Sequence, residues 1–318
     1  MKVIEHLDRA QKQEKTLFSY EIVPPPRGRS VQDIVSIVKD LAPLQPPWID
    51  VTAHASEAYY LEKDDGSVER KIYKKRPGTL GICGIIQNRF QIDTVAHVLC
   101  LGFSREETED ALIELNYLGI HNILALRGDG PNYKKHMDKS RTANHYAIDL
   151  VEQLQDLRQG KFLTEHDNTS KLDFGVGVAG YPEKHFEAAN LKTDIEYLKQ
   201  KVDAGSEYIM TQMFFDNSKF FEFVRQCREA GITVPILPGI KVLRSPAQLV
   251  SILKNFHIDF PEELVERIHK NRDQVERIGI EWAQQQVAEL LKEGVPCVHF
   301  YVMNDTKNVV EVVKSFQK

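Results

Sequence analysis

Eight short apolar segments alternate with amphipathic helical patterns along these 318 residues. That alternation predicts an α/β chain built on a closed (β/α)8 barrel, the TIM-barrel architecture, with extra helices. The strand-like segments fall at 17–24, 48–54, 92–100, 121–128, 173–181, 208–215, 234–240 and 297–303, the number a closed parallel barrel needs. The length suits one large domain, so residues 1–318 are expected to form a single unit. An open doubly wound sheet is the rival. It would usually bring a glycine-rich first strand-to-helix turn, and no G-x-G-x-x-G occurs.

The elements can be justified in chain order. MKVIEHLDRAQKQEK, residues 1–15, reads as an amphipathic helix and is too charged for a signal peptide. In LFSYEIVPPP, Phe18, Tyr20 and Ile22 share one face and Glu21 takes the other; the prolines then stop the strand. A polyproline ligand is a poor reading directly after a buried strand. WIDVTAH sets Asp50, Thr52 and His54 opposite Ile49 and Val51, and the third strand carries His97. RKIYKKRPG at 70–78 reads as a solvated loop or helix face. A helix over 105–118 ends at Gly119.

NILALRGDG points Leu124 and Leu126 one way and Arg127 and Asp129 the other, with a turn at Gly128. DFGVGVAGYP sets Gly175, Gly177, Ala179 and Tyr181 on one face, and the small row Gly175, Gly177, Ala179 either eases packing or leaves room for a flat ligand. The helix at 191–204 stripes Leu191, Ile195, Leu198 and Val202 inward, which leaves Asp194, Tyr197 and Lys201 on another face. YIMTQMFFD offers Gln212. Helical stretches fill 246–256 and 261–293, and CVHFYVMND offers His299 and Tyr301 opposite Val298, Phe300 and Val302.

A net charge of −5 argues against a nucleic-acid surface. No run approaches the roughly 18 apolar residues of a membrane span, so a cytoplasmic location is expected. Cys83, Cys100, Cys227 and Cys297 form no C-x-x-C pair and read as buried free thiols. The histidines show no metal-ligand spacing, and no metal is expected.

A barrel makes a chemical demand: reactive groups belong at the C-terminal ends of its strands. The apolar strand faces should pack on the helices while polar and small side chains converge on the mouth. Glu21 then stands at the rim, where partial removal from water would raise its pKa and fit it to donate a proton. The plain alternative is a structural ion pair. His97 and His299 read more simply as satisfied core histidines. A lyase or aldolase using Glu21 and Asp129 is a rival function, weakened because no strand-end lysine offers a Schiff base. A non-catalytic binding protein is a third reading.

Taken together, SYEIVPP, VAHVLC, ALRGD, YPEKH, LKQKVDAG, TQMFFD, ILPGI and HFYVMN, in this order, resemble the methylenetetrahydrofolate reductases over about residues 15–315. The resemblance implies a single catalytic barrel domain with non-covalent FAD and NADH or NADPH as electron donor. The implied reaction is ping-pong reduction of methylenetetrahydrofolate to methyltetrahydrofolate, which feeds methionine synthesis. A homo-oligomer is expected. Glu21 matches the family's general acid and Asp129 the carboxylate near flavin and folate. Thr52, His54, His97, Arg127, Gly128, Asp129, Tyr146, Ala147, Tyr181, His185, Asp194 and Lys201 fall where the family binds FAD. Glu21, Gln212, Gln248 and Tyr301 match substrate-side positions. Asp305 stands where some bacterial members have Arg, and Ile252 where some members are aromatic. The additional regulatory domain of eukaryotic members is not expected.

Overall fold

The computed structural model describes residues 1–128, 140–303 and 305–317. Its strands are β1 (Leu17–Ile22), β2 (Trp48–Val51), β3 (Glu57–Glu62), β4 (Val68–Tyr73), β5 (Asp93–Leu99), β6 (Asn122–Leu126), β7 (Gly175–Gly180), β8 (Tyr208–Met213), β9 (Ile236–Ile240) and β10 (Cys297–Met303). Eight of them close into a parallel barrel in the order β1-β10-β9-β8-β7-β6-β5-β2, with β1 pairing back onto β2. All eight lie where the apolar segments place them.

The helices are α1 (Val3–Gln11), α2 (Val31–Leu41), α3 (Thr79–Phe90), α4 (Arg105–Tyr117), α5 (Ala147–Arg158), α6 (Leu191–Asp203), α7 (Asn217–Glu229), α8 (Gln248–Phe256), α9 (Glu262–Lys270), α10 (Val275–Lys292) and α11 (Lys307–Lys314). Four of them, α2, α4, α6 and α7, start at a side chain that takes up a free amide of the first turn. Ser30 Oγ accepts from the amide of Gln32, and Ser104 and Glu107 form a reciprocal box at the head of α4. The helical stretch expected over 261–293 is two helices, with Asn271 ending α9 at a non-helical φ of −136°.

Outward strand residues such as Tyr20, Ile22, Ile123 and Val178 are fully buried against the helices. The inner face divides by height. Its lower part is apolar: Val95, Leu124, Tyr208, Met210 and Leu237 meet Trp48 and the Val3 and Leu7 side chains of α1. α1 therefore plugs the base, and the Val3 amide donates to Asn122 Oδ1 at 2.8 Å. Leu124 and Leu126, expected to face the helices, belong to this inner cluster. A barrel interior is filled by side chains, and its closed end offers no water for polar ones.

The small row of β7 also resolves here. A Cβ on Gly177 would lie 2.2 Å from the Tyr208 Cζ atom, and one on Gly175 would crowd Asn122 and Glu207. These two glycines make room for neighbouring side chains, so the ligand alternative fails for them. Gly177→Ala is expected to cost about 1–3 kcal/mol by overpacking, read as a lower urea midpoint with an unchanged slope.

β3 and β4 form an antiparallel hairpin outside the barrel. This corrects the reading of 70–78 as a loop or helix face. The Arg76 guanidinium binds the Pro24 carbonyl and the Arg27 amide donates to the Lys75 carbonyl at 2.7 Å. Pro24 and Pro25 are buried and Pro26 is exposed, so the first two prolines of the run serve as a brace for this hairpin.

Candidate active site

The mouth of the barrel is polar. Glu21 lies near the end of β1, opposite Tyr301 on β10 and Asp50 on β2. After Glu21 the β1–β10 register slips by one residue, so Ile22 pairs with Met303, whose φ is +62°. Such a bulge ends regular pairing and re-aims side chains at a rim.

Glu21 is 8% exposed. His97 Nε2 sits 3.7 Å from Glu21 Oε2 and 3.4 Å from Asp50 Oδ2, so one ring nitrogen faces two carboxylates. Trp48 Nε1 donates to Asp50 Oδ1 at 3.0 Å. Deeper still, Ser19 Oγ and His299 Nδ1 are 2.8 Å apart. Burial pushes the Glu21 carboxyl up to about 7; the charges of His97 and Lys241 oppose the rise and that of Asp50 adds to it. Burial disfavours a charged His97, but the contact with Asp50 and the charges of Glu21 and Asp50 outweigh it, and its pKa is raised. His299, fully enclosed, is pushed down to about 4.

A second group of expected residues gathers beyond β6 and β7. Arg127 pairs with Glu187 and lies 5.4 Å over the exposed ring of Tyr146, which precedes α5; Ala147 opens that helix. The His185 amide donates to Asp194 Oδ2 at 2.8 Å, and its ring meets Tyr181 edge-on at 4.7 Å. Lys201 donates to the Ala179 carbonyl at 3.0 Å. Burial pushes its amine down to about 8 despite the charge of Asp194. Tyr197, on the same helix, is exposed. Gly128 takes a φ of +82° at the turn after β6. Asp129 lies outside the described residues.

The substrate-side positions are held by the protein itself. Gln212 Oε1 accepts from the next amide, and Gln248 Oε1 accepts from the amides of Arg244 and Ser245 at the head of α8. Tyr301 donates its hydroxyl to the Thr211 carbonyl at 2.5 Å, with its ring against Gly239, where a Cβ would fall 2.5 Å from it. Ile252 is buried in an apolar cluster with Met213, Phe215 and Leu243. Thr52 and His54 follow β2 and are half-buried.

Three contributors escaped the sequence reading. Asp50 was placed on the polar face yet given no role. Glu187 comes from a loop. Lys241 directly follows β9, two residues after Gly239, and donates to the Tyr301 carbonyl at 2.7 Å. The strand end does therefore carry a lysine, contrary to expectation. Its signal was the alternation through PGIK. Among the described residues no cluster of metal ligands is found, and no helix is long and apolar enough to cross a membrane.

Two buried polar atoms near the mouth have no hydrogen-bond partner among the described residues: Thr52 Oγ1 and Arg127 Nε. Orphaned groups of this kind suit a polar, multi-ring ligand lying across the strand ends. A closed barrel with a buried carboxyl group at its mouth and cationic groups along one side defines the class: a (β/α)8 barrel with a polar site at its strand ends. The chain belongs to the methylenetetrahydrofolate reductase family, whose model matches residues 6–317.

A 5,10-methylenetetrahydrofolate reductase from Pectobacterium carotovorum subsp. carotovorum is 28% identical, over 93% of this chain and 88% of that protein. A probable methylenetetrahydrofolate reductase (NADH) from Oryza sativa is 30% identical over 98% of this chain and 50% of its own length. A probable NADPH form from Caenorhabditis elegans is 30% identical over 98% of this chain and 44% of its own. The chain thus spans about half the length of these eukaryotic relatives. In fold it resembles an uncharacterized protein from Clostridium thermocellum that binds two copies of 5-methyl-5,6,7,8-tetrahydrofolic acid. That likeness has a TM-score of 0.63 and 12% identity over 98% of this chain and 99% of that one.

Proposed function

We propose that this chain is an FAD-dependent methylenetetrahydrofolate reductase. It would oxidise NADH or NADPH and reduce 5,10-methylenetetrahydrofolate to 5-methyltetrahydrofolate, as one catalytic barrel domain over residues 1–318. The observation that carries the reading is a protonatable Glu21 buried at the strand ends of a chain in this family. The product would supply methyl groups for methionine synthesis, and the enzyme would act in the cytoplasm as a homo-oligomer.

FAD, when bound, would relay hydride from the nicotinamide to the folate. Arg127, Tyr146, Tyr181, His185, Asp194 and Lys201 would hold it on one side, and Thr52 and His97 on the other. The protein's own chemistry is proton and charge placement. Opening the folate's five-membered ring frees a nitrogen that needs a proton, and Glu21 would give it. The ring-opened iminium is cationic, and a fixed negative charge at Asp129 would stabilise it in a water-poor site. Gln212, Gln248 and Tyr301 would meet the folate, with Gln212 and Gln248 first exchanging their present backbone partners for it.

The test is direct. Purified protein is expected to carry about one releasable FAD per chain and to consume NADH or NADPH only when methylenetetrahydrofolate or another acceptor is supplied. A colourless protein that FAD cannot reconstitute would overturn the reading. The amine of Lys241 gives the Schiff-base lyase alternative a specific footing. Borohydride trapping of a carbonyl compound on Lys241, in protein that does not oxidise nicotinamide, would favour it.

A further inference from the structure

The rim on the β9–β10 side holds two cations. Arg244 has a carboxylate of its own, Asp305 Oδ2 at 3.2 Å. Lys241 is held differently. Its ammonium donates to the carbonyl of Tyr301, a neutral acceptor that fixes its position without cancelling its charge. Tyr301 is the residue in register with Glu21. The bond therefore ties the ammonium to β10, the strand paired with that of Glu21, while His97 on β5 lies in the other direction around the barrel, beyond β2.

We propose that Lys241 is a positioning residue for the proton on Glu21: held over β10 by the Tyr301 carbonyl, its charge sets when Glu21 gives that proton up. The inference deepens the reductase reading and rests on it.

The groups facing Glu21 are His97 on β5, Asp50 on β2, Tyr301 on β10 and Lys241 after β9. Those facing Lys241 are Arg244, Asp305 and Glu21. Asp50 and burial favour the neutral acid, whereas His97 and Lys241 favour the carboxylate. Without Lys241 only His97 would balance Asp50. Glu21 would then hold its proton to higher pH and release it less readily to a departing nitrogen. Burial and Arg244 push the amine of Lys241 itself down to about 8, above the value of about 7 for Glu21, so it is mostly charged where Glu21 is half-titrated and loses that charge as pH rises through 8.

The experiment compares Lys241→Met with Lys241→Arg. One readout is the infrared carboxylic-acid band of Glu21 in the protein without folate, assigned by its loss in Glu21→Gln. Its titration is expected to move up by about one pH unit in Lys241→Met, tenfold in the protonation equilibrium, and to return most of the way in Lys241→Arg. The second readout is the pH profile of folate reduction, whose alkaline limb should move with the band. A band that titrates unchanged in Lys241→Met, or shifts equally in Lys241→Arg, overturns the inference. A band that moves as expected in a protein that cannot reduce folate upholds the role of Lys241 and overturns the reductase reading. If Lys241→Met fails to fold, Lys241→Gln is read the same way.

Discussion

Glu21→Gln is expected to leave hydride acceptance from NADH or NADPH nearly intact while slowing reduction of methylenetetrahydrofolate by about 10² to 10⁴, the usual worth of a positioned general acid. Gln has the size and hydrogen-bonding capacity of Glu but no acidic proton. Only ring opening asks for that proton, so only that half of the cycle should suffer. Rapid mixing resolves the two: flavin bleaching by nicotinamide, and its return on adding folate. Equal slowing of both would make Glu21 a structural residue of the rim. Asp129→Asn is expected to differ, easing flavin reduction and slowing folate reduction, because its charge acts on both.

Glu21→Gln should also stabilise the protein above the pH at which Glu21 ionises in the unfolded chain. The folded-state pKa of Glu21 is raised from 4.5 to about 7. Between those values the unfolded chain has lost the proton that the folded chain keeps. Stability from this group is therefore full below about 4.5 and falls as pH rises through about 7, by on the order of 3 kcal/mol. His97, also raised, runs in the same direction. His299, depressed to about 4, runs the opposite way: its contribution is present above its unfolded value and lost as pH falls. The informative quantity is therefore the difference between wild type and Glu21→Gln across pH, in which His299 largely cancels. Urea midpoints should converge near pH 4 and separate by pH 8 in favour of the variant. Coincident curves throughout would mean that burial does not perturb Glu21. An acid that costs stability at neutral pH fits a catalytic position.

Much of this architecture is legible in the residues themselves. Each barrel strand announces itself by a short apolar run, because both of its faces are enclosed. Glu21 and Arg127 are visible as polar residues at the ends of apolar strands, whereas Asp194 and Lys201 lie on the ordinary polar face of a helix and stand out only through the family resemblance. What the periodicity cannot show is height within the barrel. Leu124 and Gly177 sit at the plugged end and Glu21 at the open one, although all three face inward. The hairpin was missed because β4, Val68–Tyr73, is largely exposed and mixes charges with apolar residues. Its Asp65-Gly66 turn was the available signal. Alternation puts Lys241 and Asp50 on the inner face, but what they act on, Glu21 and His97, stands on other strands, and that pairing is not encoded locally.

The hairpin brace has a dynamic consequence. A two-stranded ribbon is marginal by itself, and this one is tied to the barrel where Arg76 donates to the Pro24 carbonyl and the Arg27 amide donates to the Lys75 carbonyl. In native-state hydrogen exchange its amides should therefore open together as one small unit, far more often than those of β1 or β10, and independently of denaturant at low concentration. Arg76→Ala would raise that opening rate without altering exchange in the barrel. The ribbon would come loose as a flap while the rim beneath it stayed folded.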